Sequence, residues 1–205
     1  YTVLPFYGED LRKLKRVMRS TPRNFPLYTT HLICYNTRYT SKEYVNAMSD
    51  TIAAIATART PAAIGIVRIS GADTPAVVDR VFAARSGKCA AQLPLRRLVY
   101  GHMRTAEGAV IDDGLCVLFA PESSYTGEWS AELHCHGAPV VLDEVLRCAF
   151  AGGARQAKGG EFTQRAFLSG RMDLMQAEAV ADLIDAETAE CAQNAALQLS
   201  GAMSR

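Results

Sequence analysis

Ser130-Ala131-Glu132-Leu133-His134-Cys135-His136 alternates polar and apolar side chains at every second position, which is the period of a β-strand. That period puts Ala131, Leu133 and Cys135 on one face and Glu132, His134 and His136 on the other, so one polar face interrupts an otherwise apolar sheet. Gly137-Ala138-Pro139 then opens a helix that carries Val140, Val141, Val145, Leu146, Ala149 and Phe150, and Gly152-Gly153 ends it.

Upstream, Thr51 to Ala56 and Ala63 to Ser70 are short runs with β-branched residues around a Pro-containing loop, and read as paired strands. Gly71 closes the second. Thr74-Pro75 then supplies an N-cap and a first-turn proline for a helix whose apolar face uses Val77, Val78, Val81 and Phe82. Arg97 to Met103, a Glu107-Gly108 turn and Gly114 to Ala120 read as two further strands in a hairpin. Downstream the pattern is helical: a short piece from Phe162 to Leu168, a Ser169-Gly170 break, and a long segment from Asp173 to Met203. Leu174, Ala177, Ala181, Ile184 and Thr188 form a stripe on it at helical spacing, and a stripe that long lacks an obvious partner in this chain. The expected fold class is α+β: a mixed sheet with packed helices to about Gly170, then a long carboxy-terminal helix that opens a truncated helical domain.

The 205 residues are 49% hydrophobic and 21% charged, as in a globular chain. No window approaches the ~18 uncharged apolar residues of a membrane span, and no secretory leader is evident. Six cysteines without a C-x-x-C pair suit reduced thiols filling the core of a cytoplasmic protein. The formal charge of +1 averages two unlike pieces. Residues 1–47 hold eight Lys/Arg against three Asp/Glu and eight of the fifteen Phe and Tyr, whereas residues 48–205 hold fourteen against eighteen. Residues 1–47 are therefore expected to be an unstructured upstream extension, with an RNA-binding arm as the alternative.

No G-x-x-x-x-G-K-[ST] phosphate loop, G-x-G-x-x-G fingerprint or G-x-S-x-G elbow occurs. His134 and His136 lie ~7 Å apart on one strand face while Cys135 points away, which makes neither a zinc site nor a nucleophilic pair. No catalytic or metal-ligating residue is assigned. What remains is charge where a core strand or helix junction should be apolar: Arg68 in Ile66-Val67-Arg68-Ile69-Ser70, Glu132, and Arg171 at the helix break. Buried charge must be paired or meet a ligand. Spacing alone leaves two readings open: an Arg68–Glu132 salt bridge, or a pocket whose carboxylate accepts two parallel N–H bonds from an aminopyrimidinone-type ring.

Five collinear stretches resemble the tRNA-modification GTPase family known as MnmE or TrmE: Asp50 to Ala54, Ile64 to Gly71, Ser124-Tyr125-Thr126-Gly127-Glu128 through Gly137, Gly160-Glu161-Phe162 to Leu168, and Met172 through Ala186. The resemblance implies that residues 48–170 form a folate-binding and dimerisation domain and that residues 171–205 begin a helical domain. It implies a homodimer that binds 5-formyltetrahydrofolate or a related tetrahydrofolate where two copies meet, with contacts falling on Arg68, Glu132 and Arg171. It further implies modification of the tRNA wobble uridine together with an FAD-dependent partner, MnmG (GidA), driven by a GTPase domain that uses GTP, Mg and K. That domain is absent from this sequence, so the chain is not expected to hydrolyse GTP alone. Two departures stand out: Arg171 replaces a common Lys, and Gly159 replaces a usual Pro. Two other functional readings are a ligand-free dimerisation scaffold and an RNA-binding module built on the basic arm.

Overall fold

The computed structural model describes residues 50–201, all within the unit Met48–Arg205. The expectations for residues 1–47, and Cys34 with them, lie outside the described residues. In chain order the elements are β1 (Ile52–Ile55), β2 (Ala62–Ser70), α1 (Thr74–Val81), β3 (Phe82–Ala84), β4 (Val99–Arg104), β5 (Val110–Phe119), β6 (Ser130–Gly137), α2 (Pro139–Ala151), β7 (Arg155–Gln156), α3 (Glu161–Leu168), α4 (Leu174–Ile184) and α5 (Ala189–Leu199). The strands form one sheet in the order β3-β4-β5-β6-β2-β1-β7, antiparallel throughout except for the β1–β7 pair. This is the mixed α+β sheet that the pattern predicts.

The alternation of β6 decides which side is core. Ala131, Leu133 and Cys135 are buried, as are Val67 and Ile69 of β2, and α1 and α2 cover them with Val77, Val78, Val81, Leu142, Val145, Leu146 and Ala149. No helix of this pair covers the opposite face, where Ile64 is 62% and Tyr100 42% exposed. The sheet–helix junction after β2 depends on Gly71, whose φ is +136° and whose added Cβ would stand 2.5 Å from Thr51 Cα. Both the left-handed backbone and the clash with main chain forbid a side chain. Gly71→Ala is expected to destabilise the domain by roughly 2–3 kcal/mol. A melting temperature equal to the parent's would show that β1 can move aside.

The structure corrects several details. Asp73, not Thr74, is the N-cap of α1, and it makes no side-chain cap bond; Thr74 Oγ1 instead donates to the Trp129 carbonyl at 3.1 Å. β3 and β7 are additional strands. Each is two or three residues long and exists through pairing with a distant strand, so neither carries a period to read. The segment from Asp173 is helical as expected but in two pieces, because the Thr188 side chain accepts from Cys191 N at 3.2 Å and caps a fresh helix. α5 folds back on α4, burying Ala179 and Ala195, and Gln176 Nε2 donates to Leu199 O at 2.9 Å. The stripe is not the face that α5 covers: Leu174, Ala181, Ile184 and Thr188 stay exposed and Ala177 is half-buried, whereas the buried Ala179 lies off it. Cys116, Cys135 and Cys148 are core residues, whereas Cys89 and Cys191 are exposed and fill no core.

Candidate functional site

β2 and β6 pair in a register that sets Arg68 directly across from Glu132. Both belong to the uncovered face, since their neighbours Val67 and Leu133 point into the helix layer. Arg68 donates Nε–H and Nη2–H to the same oxygen, Glu132 Oε1, at 3.0 and 2.8 Å. The two side chains remain 33% and 22% exposed. The salt bridge is therefore real, but it occupies one carboxylate oxygen. Glu132 Oε2 accepts no hydrogen bond among the described residues; His134 Nε2 stands 3.5 Å away in a geometry that forms none. That imidazole nitrogen is buried and unpartnered. A half-buried acceptor beside a buried, unused nitrogen has open hydrogen-bonding capacity.

Two aromatic residues complete the surroundings. The Arg68 guanidinium lies 5.8 Å from the Tyr125 ring centroid and 5.7 Å from that of Phe162, within cation–π range of both. Tyr125 comes from the β5–β6 loop and Phe162 from α3, and the Tyr125 hydroxyl shares a 3.0 Å hydrogen bond with Thr163 Oγ1. Both sit in stretches quoted above for their resemblance, yet sequence spacing assigned them no role. Nothing in a linear pattern says that residues 37 positions apart flank one guanidinium.

Arg171 is exposed, and its guanidinium donates to the Pro121 carbonyl at the start of the Tyr125 loop. Its Cγ also lies beside Gly127. Arg68 and Glu132 are in direct contact, whereas among the described residues no hydrogen bond or ion pair links Arg171 to either. His136 is 72% exposed and bonds Asp112 Oδ1 through Nδ1 at 2.7 Å; that hydrogen bond raises its pKa. The two imidazoles do not converge. Among the described residues no group of three or more His, Cys, Asp or Glu could hold a metal ion. Burial, with a smaller contribution from Asp112, pushes the Cys135 thiol up to about 12, which removes it as a nucleophile at neutral pH.

Behind the site lies a buried polar network that the sequence reading missed. Arg165 of α3, whose side chain is 3% exposed, donates Nη1–H to Asp50 O at 2.8 Å and to Glu128 Oε2 at 2.9 Å, and Nη2–H to Glu161 Oε1 at 3.2 Å. Glu161 also receives Arg155 Nη2–H at 2.6 Å, Nη1–H at 2.9 Å and Lys158 N–H at 2.8 Å. Ser70 Oγ donates to Glu128 Oε2 at 3.1 Å and hydrogen-bonds Thr126 Oγ1 at 2.7 Å. The network ties β1, β2, the Tyr125 loop and α3 into one frame. It thereby fixes the elements that carry Tyr125 and Phe162.

Burial pushes the Glu161 carboxyl up, but the hydrogen bonds from Arg155 and Lys158 N–H, with Arg155's charge and Arg165, outweigh it and hold the pKa at about 2, against an ordinary 4.5. A depressed carboxylate stabilises the fold above its ordinary pKa, and that stability is lost as pH falls toward the folded value. The unfolding free energy is expected to decline by about 3 kcal/mol between pH ~4.5 and ~2 through this group. Glu161→Gln should flatten that limb of a pH series of urea melts; an unchanged limb would place the acid sensitivity elsewhere.

Residues 51–171 match the family model described as GTP-binding protein TrmE N-terminus. Relatives named tRNA modification GTPase MnmE are similar at high identity. That of Pseudomonas aeruginosa (strain UCBPP-PA14) is 46% identical over 161 residues, covering 78% of this chain and 34% of the relative. That of Xanthomonas campestris pv. campestris (strain 8004) is 47% identical over 161 residues with the same coverage, and that of Symbiobacterium thermophilum is 46% identical over 154 residues, covering 75% and 34%. The chain spans about a third of the length of these relatives, and residues 51–171 contain Arg68, Glu132 and Arg171 and, Asp50 apart, the frame behind them. The chain belongs to the TrmE amino-terminal family.

Proposed function

We propose that residues 48–170 bind a formyl-tetrahydrofolate-like one-carbon donor on the uncovered sheet face and pair there with a second copy, as the folate module of a tRNA wobble-uridine modification GTPase. The observation that carries this reading is the half-occupied Glu132 carboxylate: Oε1 is fixed by Arg68 while Oε2 accepts no hydrogen bond among the described residues. An aminopyrimidinone edge supplies a pair of parallel N–H donors; one of them fits the open Oε2, and the second shares Oε1 when Arg68 gives up one of its two bonds there. Tyr125 and Phe162 offer ring faces beside it for a flat heterocycle. Arg171, bonded to the Tyr125 loop at Pro121 O, supplies a cation for a carbonyl or carboxylate of the same ligand; its fork differs in geometry from a lysine point charge, while the sign is kept.

The folate supplies the one-carbon unit, and the residues of this chain bind and orient it. No residue here is assigned a catalytic step. The exposed Ile64 and Tyr100, on the face that α1 and α2 leave uncovered, support self-association across it. GTP hydrolysis with Mg and K, the FAD-dependent MnmG partner, tRNA and a cytoplasmic location are parts of the same reading that belong to the whole protein. Among the described residues no helix is long and apolar enough to cross a membrane.

The formed Arg68–Glu132 pair also favours a second reading, a ligand-free dimerisation scaffold. Calorimetric titration of the full chain with 5-formyltetrahydrofolate separates the two. Saturable heat near one site per chain supports the folate module, and absence of heat leaves the scaffold.

A further inference from the structure

Between Asp79 and Glu107 the chain carries Arg80, Arg85, Lys88, Arg96, Arg97 and Arg104 and no carboxylate. The fold gathers this run at one border of the sheet: it comprises the end of α1, the outermost strand β3, the connection to β4, and β4 itself. Elsewhere in the described fold Arg59, Arg68, Arg147, Arg155 and Arg165 each pair with a carboxylate. Among the described residues none of the six border cations does. Arg80 donates to Gly152 O at 3.2 Å and Arg104 to Asp79 O at 2.7 Å, each through one nitrogen, so most of both forks stays unspent. Arg85 lies 5.9 Å from the Tyr100 ring centroid, and its backbone N–H bonds Tyr100 O at 3.1 Å. Arg96 N–H reaches Leu118 O at 2.8 Å, which holds the Arg96-Arg97 segment against β5 beside the start of β4. Arg85, Lys88, Arg96 and Arg97 are all exposed.

Like charges brought to one border repel; Asp79 and Asp113 also lie there, bonded to Ala90 N–H and to Tyr100 and His102 respectively, and neither forms an ion pair with the six cations among the described residues. A polyanion would. Five of the six are arginines, whose planar fork suits the two oxygens of a phosphodiester better than a point charge does. We propose that this β3–β4 border is a docking surface for the phosphate backbone of RNA, separate from the Arg68–Glu132 site on β2 and β6. That the RNA is a tRNA rests on the tRNA-modification reading above; the charge pattern itself speaks only for the backbone. Phosphate contacts of this kind position an RNA without reading its bases.

The test is fluorescence anisotropy of a labelled tRNA transcript with the full chain across a salt series. Arg85→Gln with Arg97→Gln is expected to weaken binding by about tenfold at low salt and to reduce the slope of log affinity against log salt by roughly 1.4–1.8, the release of two phosphate contacts. The charge-matched pair Arg59→Gln with Arg147→Gln, which removes exposed and already paired cations, should change affinity by less than about twofold. Equal loss in both doubles, or no loss in the first, overturns the border as the site. Competition by polyglutamate as effective as competition by unlabelled tRNA at equal charge also overturns it, since the surface would then fit an acidic protein. The 5-formyltetrahydrofolate titration is run on the same proteins. Folate binding that survives in the Arg85/Arg97 double isolates the RNA result, whereas a parent chain that binds RNA but no folate removes the folate reading and leaves the border standing.

Discussion

Arg165→Met is expected to lower the unfolding free energy by about 3–5 kcal/mol, the usual consequence of stripping one partner from a buried ion cluster. The Arg165 side chain is 3% exposed, and it is the ionic partner of Glu128 and one of two arginines on Glu161. Removing it leaves the Glu128 carboxylate, 14% exposed, with the Ser70 hydroxyl as its remaining side-chain donor. It also frees the Asp50 carbonyl that anchors the entry to β1. A loss of that size is a large share of the roughly 5–15 kcal/mol that holds an ordinary domain together. Arg165→Lys should not restore it, because one ammonium cannot span Asp50 O, Glu128 and Glu161 as the guanidinium does. Urea unfolding of the parent and both variants decides the matter; a loss under about 1 kcal/mol would mean that solvent reaches the cluster and screens it.

Glu132→Gln is expected to weaken 5-formyltetrahydrofolate binding by about 30- to 150-fold, the equivalent of roughly 2–3 kcal/mol for a hydrogen-bonded charge. Glutamine keeps the size of the side chain but replaces one acceptor with a donor, so a ring edge that presents two N–H groups meets a mismatched partner. The same change leaves Arg68, one-third exposed, without its carboxylate. Calorimetry therefore needs a companion that separates site loss from distortion. Arg68→Met with Glu132→Leu removes both charges at once, and under the scaffold reading it keeps the fold and the self-association with equal or greater stability. Under the folate reading the same double variant folds but binds no ligand. Folate affinity equal to the parent's in Glu132→Gln would end the assignment of this carboxylate.

Much of the architecture is legible along the chain because burial is periodic. The alternation at Ala131, Leu133 and Cys135 is the burial pattern of β6, and the apolar positions Val77, Val78 and Val81 are the buried face of α1. β3 and β7 escape because they are defined by partners: β7 is a polar dipeptide, Arg155-Gln156, that becomes a strand by pairing in parallel with β1. The break at Asp185–Thr188 escapes because Ala, Glu and Thr there do not forbid a continuous helix; the Thr188 cap and the packing of α5 on α4 select the turn.

Composition and spacing by themselves determined the fold class, the apolar and polar faces of the central strand, and the presence of unexplained charge at Arg68 and Glu132, since each is a local consequence of side-chain period and solvation. Only the tertiary structure decided that these two residues meet with one carboxylate oxygen left over, that Tyr125 and Phe162 flank the guanidinium, that Arg171 bonds the Pro121 carbonyl instead of either of them, and that Arg165 is the keystone of a buried cluster. The reason is physical. A contact between residues tens of positions apart depends on strand order, register and loop path, which emerge from packing the whole chain and leave no trace in any one window of it.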